Sequence, residues 1–190
     1  WQLDPESINV IGFSAGGNLT AQLAAYWQTP WLVKLTGLKT EQMRPDSVGL
    51  CYPAIKMVDL NNHNIAVLNK VKVSVDLINY AATGLDQSAE RIAMINLDQA
   101  VTSEFPRTFM WGTTEDLNCH VGDAINFAGD LAKNKVPFEF HMYQKGNHGM
   151  SLADKRTDGR PDHSLSDPQA ASWKKLYLGW LSENNLYHLL

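Results

Sequence analysis

Residues 8–26 read INVIGFSAGGNLTAQLAAY, and the fold turns on how this stretch is understood. Ile8 to Phe13 is a short apolar run rich in β-branched side chains, preceded by the turn signal Asp4-Pro5, and it reads as a buried strand. Behind Ser14 the apolar residues Leu19, Leu23 and Tyr26 recur at helical spacing, with helix-favouring Ala21, Ala24 and Ala25 between them. A helix is therefore expected to begin directly after Ser14. Gly12-Phe13-Ser14-Ala15-Gly16 is then a G-x-S-x-G motif at a strand-to-helix junction, the place from which a sharp turn pushes a serine hydroxyl out beyond a sheet. Gly12 and Gly16 are expected to relieve the crowding of that turn. The backbone amide of Ala15, at the helix N-terminus, is placed to donate to an oxyanion.

A serine hydroxyl is a weak nucleophile until a base takes its proton. Of six histidines, His148 stands in the glycine-flanked loop Lys145-Gly146-Asn147-His148-Gly149-Met150, just after a predicted strand, and is the expected base. His141 lies inside that strand, and His63, His163 and His188 lie in polar or terminal segments. His120 is the rival, because it closely follows the expected acid. That acid is Asp116, in Gly112-Thr113-Thr114-Glu115-Asp116 immediately past another predicted strand, with Glu115 as the alternative. A carboxylate here would fix the imidazole tautomer and stabilise the imidazolium, and the chain order Ser, acid, His is that of one hydrolase architecture.

The other elements follow the same logic. Strands are expected at Ser47–Tyr52, stopping at Pro53, at Thr108–Trp111, stopping at Gly112, and at Phe138–Tyr143. One helix should carry Val121, Ile125, Ala128 and Ala132 on one side. A closing helix should start at Asp167-Pro168 and present Trp173, Leu176, Tyr177, Trp180 and Leu181. Residues 56–103 are rich in Asn and Asp and hold two short helices, one ending near Gly84 and one starting after Asp86, expected over one edge of the sheet. Strands alternating with helices indicate an α/β fold with a parallel sheet flanked by helices, in a single domain over residues 1–190.

Composition limits the function. With 44% hydrophobic and 19% charged residues, a net charge of -4 and no run of Lys or Arg, nucleic acid is not an expected partner. No apolar stretch reaches the roughly 20 residues needed to span a bilayer, so no membrane role is expected. Cys51 and Cys119 lack metal or redox spacing and read as free thiols. No metal or cofactor is expected, and the location is taken as cytoplasmic. Trp27, Trp31 and Trp111 could stack on a sugar, although core packing is the commoner use of such residues.

VIGFSAGGNLTAQLA, the segment from Thr108 to Ala153 and the Trp-rich closing helix resemble the acetylesterase and xylan-esterase-like branch of the α/β-hydrolases. The resemblance covers nearly the whole chain, least well between Lys56 and Ser103. It implies the triad Ser14, Asp116 and His148, and a short-chain acyl ester as the small-molecule substrate, acetyl groups on sugars or xylan fragments among them. The family also has an HGGG-type loop near the start of the domain, giving a second oxyanion donor, and four strands before the nucleophile strand. Only Gly16-Gly17 pairs glycines here, so the chain is expected to hold the C-terminal half of the fold (strands 5 to 8). Its expected partners are the missing N-terminal half or a second copy of the chain. The 190 residues alone should then hydrolyse p-nitrophenyl acetate poorly. Two alternatives stand beside the esterase: a prolyl-oligopeptidase-like serine peptidase, and a noncatalytic hydrolase-fold binding module.

Overall fold

The computed structural model describes residues 4, 7–61, 65–68 and 71–186. Its main sheet has four parallel strands, β1 (Asn9–Phe13), β2 (Ser47–Cys51), β5 (Arg107–Thr113) and β6 (Phe138–Tyr143), in the spatial order β1-β2-β5-β6. Parallel pairing runs in register from Asn9 opposite Ser47 to Thr113 opposite Tyr143. All four strands therefore end at one rim, and the segments that leave them share one side of the molecule.

Side chains alternate across this sheet as a period of two requires. Val48, Leu50 and Met110 enter a core with Ala21, Ala24, Phe127 and Leu131, beneath α1 (Ala15–Tyr26) and α5 (Val121–Lys133). Cys51, Phe109 and Trp111 face the other way, into a core with Trp173, Tyr177, Trp180 and Leu181 of α6 (Trp173–Glu183). Helices thus cover both faces, and the strands read as unbroken apolar runs for that reason.

Several sequence expectations shift in detail. α1 begins at Ala15 as expected, but its buried residues are Gly17, Asn18, Thr20, Ala21 and Ala24, while Leu19 is 67% exposed. Small residues win this face because they let the helix backbone approach the sheet closely. In α5 the buried residues are Ala124, Phe127, Ala128 and Leu131, so of the expected side Val121, Ile125, Ala128 and Ala132 only Ala128 is buried, and Ile125 is exposed. Phe127 and Leu131 are the larger apolar groups and take the core-facing stripe. β5 runs through Gly112 to Thr113 instead of stopping at Trp111. Asp167 accepts the Ala170 N–H at 2.7 Å at the start of a single 3-10 turn (Ala170–Ser172), and α6 starts only at Trp173.

α2 (Pro30–Thr36) precedes β2, and between β2 and β5 the chain adds the antiparallel hairpin β3 (Ile65–Leu68) and β4 (Val71–Ser74), α3 (Val75–Thr83) and α4 (Ala89–Ile95). The two short helices near Gly84 and Asp86 are present, and the hairpin is an addition to them. The segment is not confined to a sheet edge: Leu97, Val101 and Phe105 enter the core shared with α1 and α5. Asn18 secures it there, its amide donating to the carbonyls of Ala54 at 2.7 Å and Ile95 at 2.8 Å. Among the described residues, no helix is long and apolar enough to cross a membrane.

Candidate active site

Ser14, Asp116 and His148 each follow the carboxyl end of a different parallel strand, β1, β5 and β6 respectively. Ser14 is the N-cap of α1 and sits at φ 55, ψ -121, a conformation costing a non-glycine residue about 1–3 kcal/mol. Its backbone is held on both sides. The Ser14 N–H donates to the Cys51 carbonyl at 3.0 Å, and the Ser14 carbonyl accepts the N–H groups of Asn18 at 3.1 Å and Ala54 at 3.2 Å.

Glycine is required at Gly12 for space. A Cβ there would stand 2.1 Å from the Gly16 carbonyl oxygen and 2.3 Å from the Thr20 hydroxyl. Gly17 abuts Pro53, whose Cα would lie 3.0 Å from an added Cβ. A Cβ at Gly16 would meet nothing within 4 Å, so the steric demand expected at that glycine is not set by the described residues of this chain.

The three side chains form one hydrogen-bonded chain. The Ser14 Oγ lies 2.6 Å from His148 Nε2, and His148 Nδ1 lies 2.8 Å from Asp116 Oδ2. An ionised carboxylate can only accept, so Nδ1 carries the proton and Nε2 presents its lone pair to the serine hydroxyl. The second carboxylate oxygen, Oδ1, accepts the N–H groups of Asn118 at 2.8 Å and Cys119 at 3.0 Å, which fixes the acid in place. Asp116 is 6% exposed and His148 8%, so water competes little for either.

Every side chain of the loop leading to Asp116 ties down the loop that carries His148. Thr113 Oγ1 donates to the Gly146 carbonyl at 2.6 Å, Thr114 Oγ1 donates to the Gln144 carbonyl at 2.8 Å, and Glu115 Oε2 accepts the Gly146 N–H at 3.1 Å. Glu115, the alternative acid, is thereby engaged with the backbone of the histidine loop. Gly146 has φ 131, and a Cβ there would collide with Met150 Sδ at 2.2 Å, so the loop needs glycine at that point.

The remaining sequence candidates lie elsewhere. His120 caps α5, its Nδ1 accepting the Gly122 N–H at 3.1 Å, and His141 pairs with Glu139 at 2.6 Å. His163 sits in the loop before α6, and His63 and His188 lie outside the described residues. Trp111 is fully buried and stacks on Trp173 with centroids 5.4 Å apart, so it cannot serve as a sugar platform. Trp27 is buried beneath Arg44, and Trp31 is 46% exposed on α2.

Asp116, Cys119 and His148 bring ligand-type atoms within 4.8 Å of one another. Both ring nitrogens of His148 are already engaged, and burial together with the Asp116 charge pushes the Cys119 thiol well above its usual range. Cys51 is likewise free, buried, and pushed up to about 12 by burial.

Chemically, the arrangement can move a proton from Ser14 to His148 while Asp116 compensates the charge that develops on the ring. A covered parallel sheet with serine, acid and histidine at its carboxyl rim defines the α/β-hydrolase class. A family model described as the alpha/beta hydrolase fold matches residues 1–152, and the chain belongs to that family.

Similar proteins fall in line with this. An endo-1,4-beta-xylanase B of Butyrivibrio fibrisolvens is 25% identical over 159 residues, covering 81% of this chain and 22% of its own length. Among solved structures, an acetyl ester-xyloside bifunctional hydrolase from Caldicellulosiruptor lactoaceticus superposes with a TM-score of 0.73 at 27% identity, over 98% of this chain and 60% of that one. A carboxylesterase from Lactobacillus plantarum WCFS1 shares the fold with a TM-score of 0.75 at 23% identity, over 99% of this chain and 62% of that one. The chain thus spans less than two thirds of the length of each of these proteins.

Proposed function

We propose that this chain carries the nucleophile, base and acid of a serine carboxylesterase that removes short acyl groups, acetyl above all, from sugar esters such as acetylated xylo-oligosaccharides. The observation that carries the reading is the unbroken contact chain from Ser14 Oγ through His148 to Asp116, with both links at 2.8 Å or less. Ser14 attacks the ester carbonyl as His148 takes its proton. The Ala15 N–H, in the first turn of α1 where amides lack helical partners, stabilises the oxyanion. His148 returns the proton to the departing sugar oxygen, and water then cleaves the acyl-enzyme by the same route. The acetyl and sugar part rests on the names of the similar proteins, which include an acetyl ester-xyloside hydrolase and a xylanase.

The same reading takes residues 1–190 as part of one hydrolase domain whose earlier strands and second oxyanion donor lie outside this chain. The edge of the sheet supports it: among the described residues β1 pairs only with β2, and Ile8 just before the strand and Ile11 within it are exposed. A cytoplasmic setting belongs to the reading too, in keeping with the two unpaired thiols Cys51 and Cys119.

Initial rates on acetylated xylobiose, p-nitrophenyl acetate, p-nitrophenyl decanoate and an aminoacyl-proline amide test the substrate class. The acetyl esters should be turned over fastest and the amide negligibly. Preference for the amide or the decanoate would contradict the proposal.

A further inference from the structure

Tyr52 is the residue that leaves β2 at the same rim, and its backbone is unusual. It has φ 36, in the left-handed region that disfavours any side chain, and its N–H is drawn onto the Trp111 carbonyl at 2.6 Å. The conformation swings the ring inward, where it is 6% exposed and touches three aromatic groups. The ring lies perpendicular to the His148 imidazole, with centroids 5.3 Å apart at 77°. On its other sides it meets Trp111 at 5.1 Å and Phe13 at 5.9 Å.

The hydroxyl reaches the loop that carries His148. Tyr52 Oη accepts the Ser151 N–H at 2.9 Å, and the Ser151 carbonyl in turn accepts Trp173 Nε1 at 3.2 Å. Ser151 is itself at φ 55, so this corner of the loop adopts a strained shape and is gripped from two directions. Thr113, Thr114 and Glu115 secure the loop before His148, whereas Tyr52 and Trp173 secure it after.

An imidazole bonded at both nitrogens is set in its plane by Ser14 and Asp116, yet those two contacts leave it free to tilt about the line joining them. A wall against the ring removes that freedom. We propose that Tyr52 is a positioning residue for His148: its ring fixes the tilt of the imidazole and its hydroxyl tethers the loop at Ser151. This inference rests on the esterase reading of Ser14 and His148.

The test compares Tyr52→Phe, which keeps the wall and loses the tether, with Tyr52→Leu, which loses both, in the whole hydrolase domain that contains residues 1–190 and in a His148→Ala background of it. The readouts are p-nitrophenyl acetate kinetics, thermal melting, and fluorophosphonate labelling of Ser14. Misplacement of a catalytic group by a fraction of an ångström costs about 10-fold to 100-fold. Tyr52→Phe should lower kcat by about 10-fold with KM unchanged, and Tyr52→Leu by about 100-fold. In the His148→Ala background either change should leave the residual rate within about twofold, since the group they position is gone.

Wild-type kcat in Tyr52→Phe, or an equal loss with and without His148, would overturn the inference while leaving Ser14 labelling and the esterase reading intact. A wild-type protein that takes no label at Ser14 would overturn both. If Tyr52→Leu does not fold, Tyr52→Phe in the two backgrounds decides the matter alone.

Discussion

The Ser14 N–H donates to the Cys51 carbonyl at 3.0 Å, so the strained residue at the end of β1 is pinned to the end of the neighbouring strand. This bond, with the two that the Ser14 carbonyl accepts, keeps a serine at φ 55. The turn depends on the absence of side chains close by. Gly12→Ala would drive a Cβ to 2.1 Å from the Gly16 backbone oxygen, whereas Gly17→Ala would meet Pro53 at 3.0 Å. Gly12→Ala is expected to cost about 3 kcal/mol or more and Gly17→Ala about 1–2 kcal/mol, both read by denaturant unfolding. Equal costs, or a harmless Gly12→Ala, would show that the turn is looser than described.

The carboxylates of Glu115 and Asp116 adjoin in sequence and part in space, one holding the Gly146 N–H and the other His148 Nδ1. Asp116→Asn keeps the shape and reverses the hydrogen-bonding sense toward the ring, presenting a donor or the wrong tautomer. It should lower kcat roughly 10,000-fold. Glu115→Gln still offers an acceptor to Gly146, and a loss under about 10-fold is expected. A larger loss at Glu115 than at Asp116 would exchange their roles.

Alkaline stability follows from the buried protonated groups. Burial pushes Cys51 from 9.0 up to about 12, and Tyr52 and Tyr177 from 10.0 up to about 12. The fold holds these protons more tightly than the unfolded chain does. Their contribution is therefore complete below pH 9 and is lost as pH climbs through the interval up to about 12. Melting temperature should decline across that interval, with tyrosinate absorbance from these rings appearing only as the protein unfolds. Tyrosinate absorbance developing fully near pH 10 in the folded protein would contradict the burial of Tyr52 and Tyr177.

Ser14, Asp116 and His148 were legible because glycine-bearing loops after apolar runs mark strand ends, and parallel strands deliver their ends to one rim. The helix faces were less legible. In α1 the eye follows Leu19, Leu23 and Tyr26, yet the sheet selects Gly17, Ala21 and Ala24, since close approach outweighs side-chain size there. Tyr52 carries no such mark, because a tyrosine ahead of a proline reads as the end of a strand. Only the three-dimensional path shows its ring against His148 and its hydroxyl on Ser151. The signal that could have found it is its position, the first residue past a parallel strand. The threonines of the acid loop carry no motif of their own; their bonds to residues 144–146 exist because β5 and β6 are neighbours.

Labelling with a fluorophosphonate, followed by mass mapping of the modified peptide, tests most directly whether Ser14 is the nucleophile that His148 activates. The adduct is expected on Ser14, absent from Ser14→Ala, and formed at least about 1000-fold more slowly in His148→Ala. An adduct on a different residue, or Ser14 labelled at an undiminished rate without His148, would contradict the account.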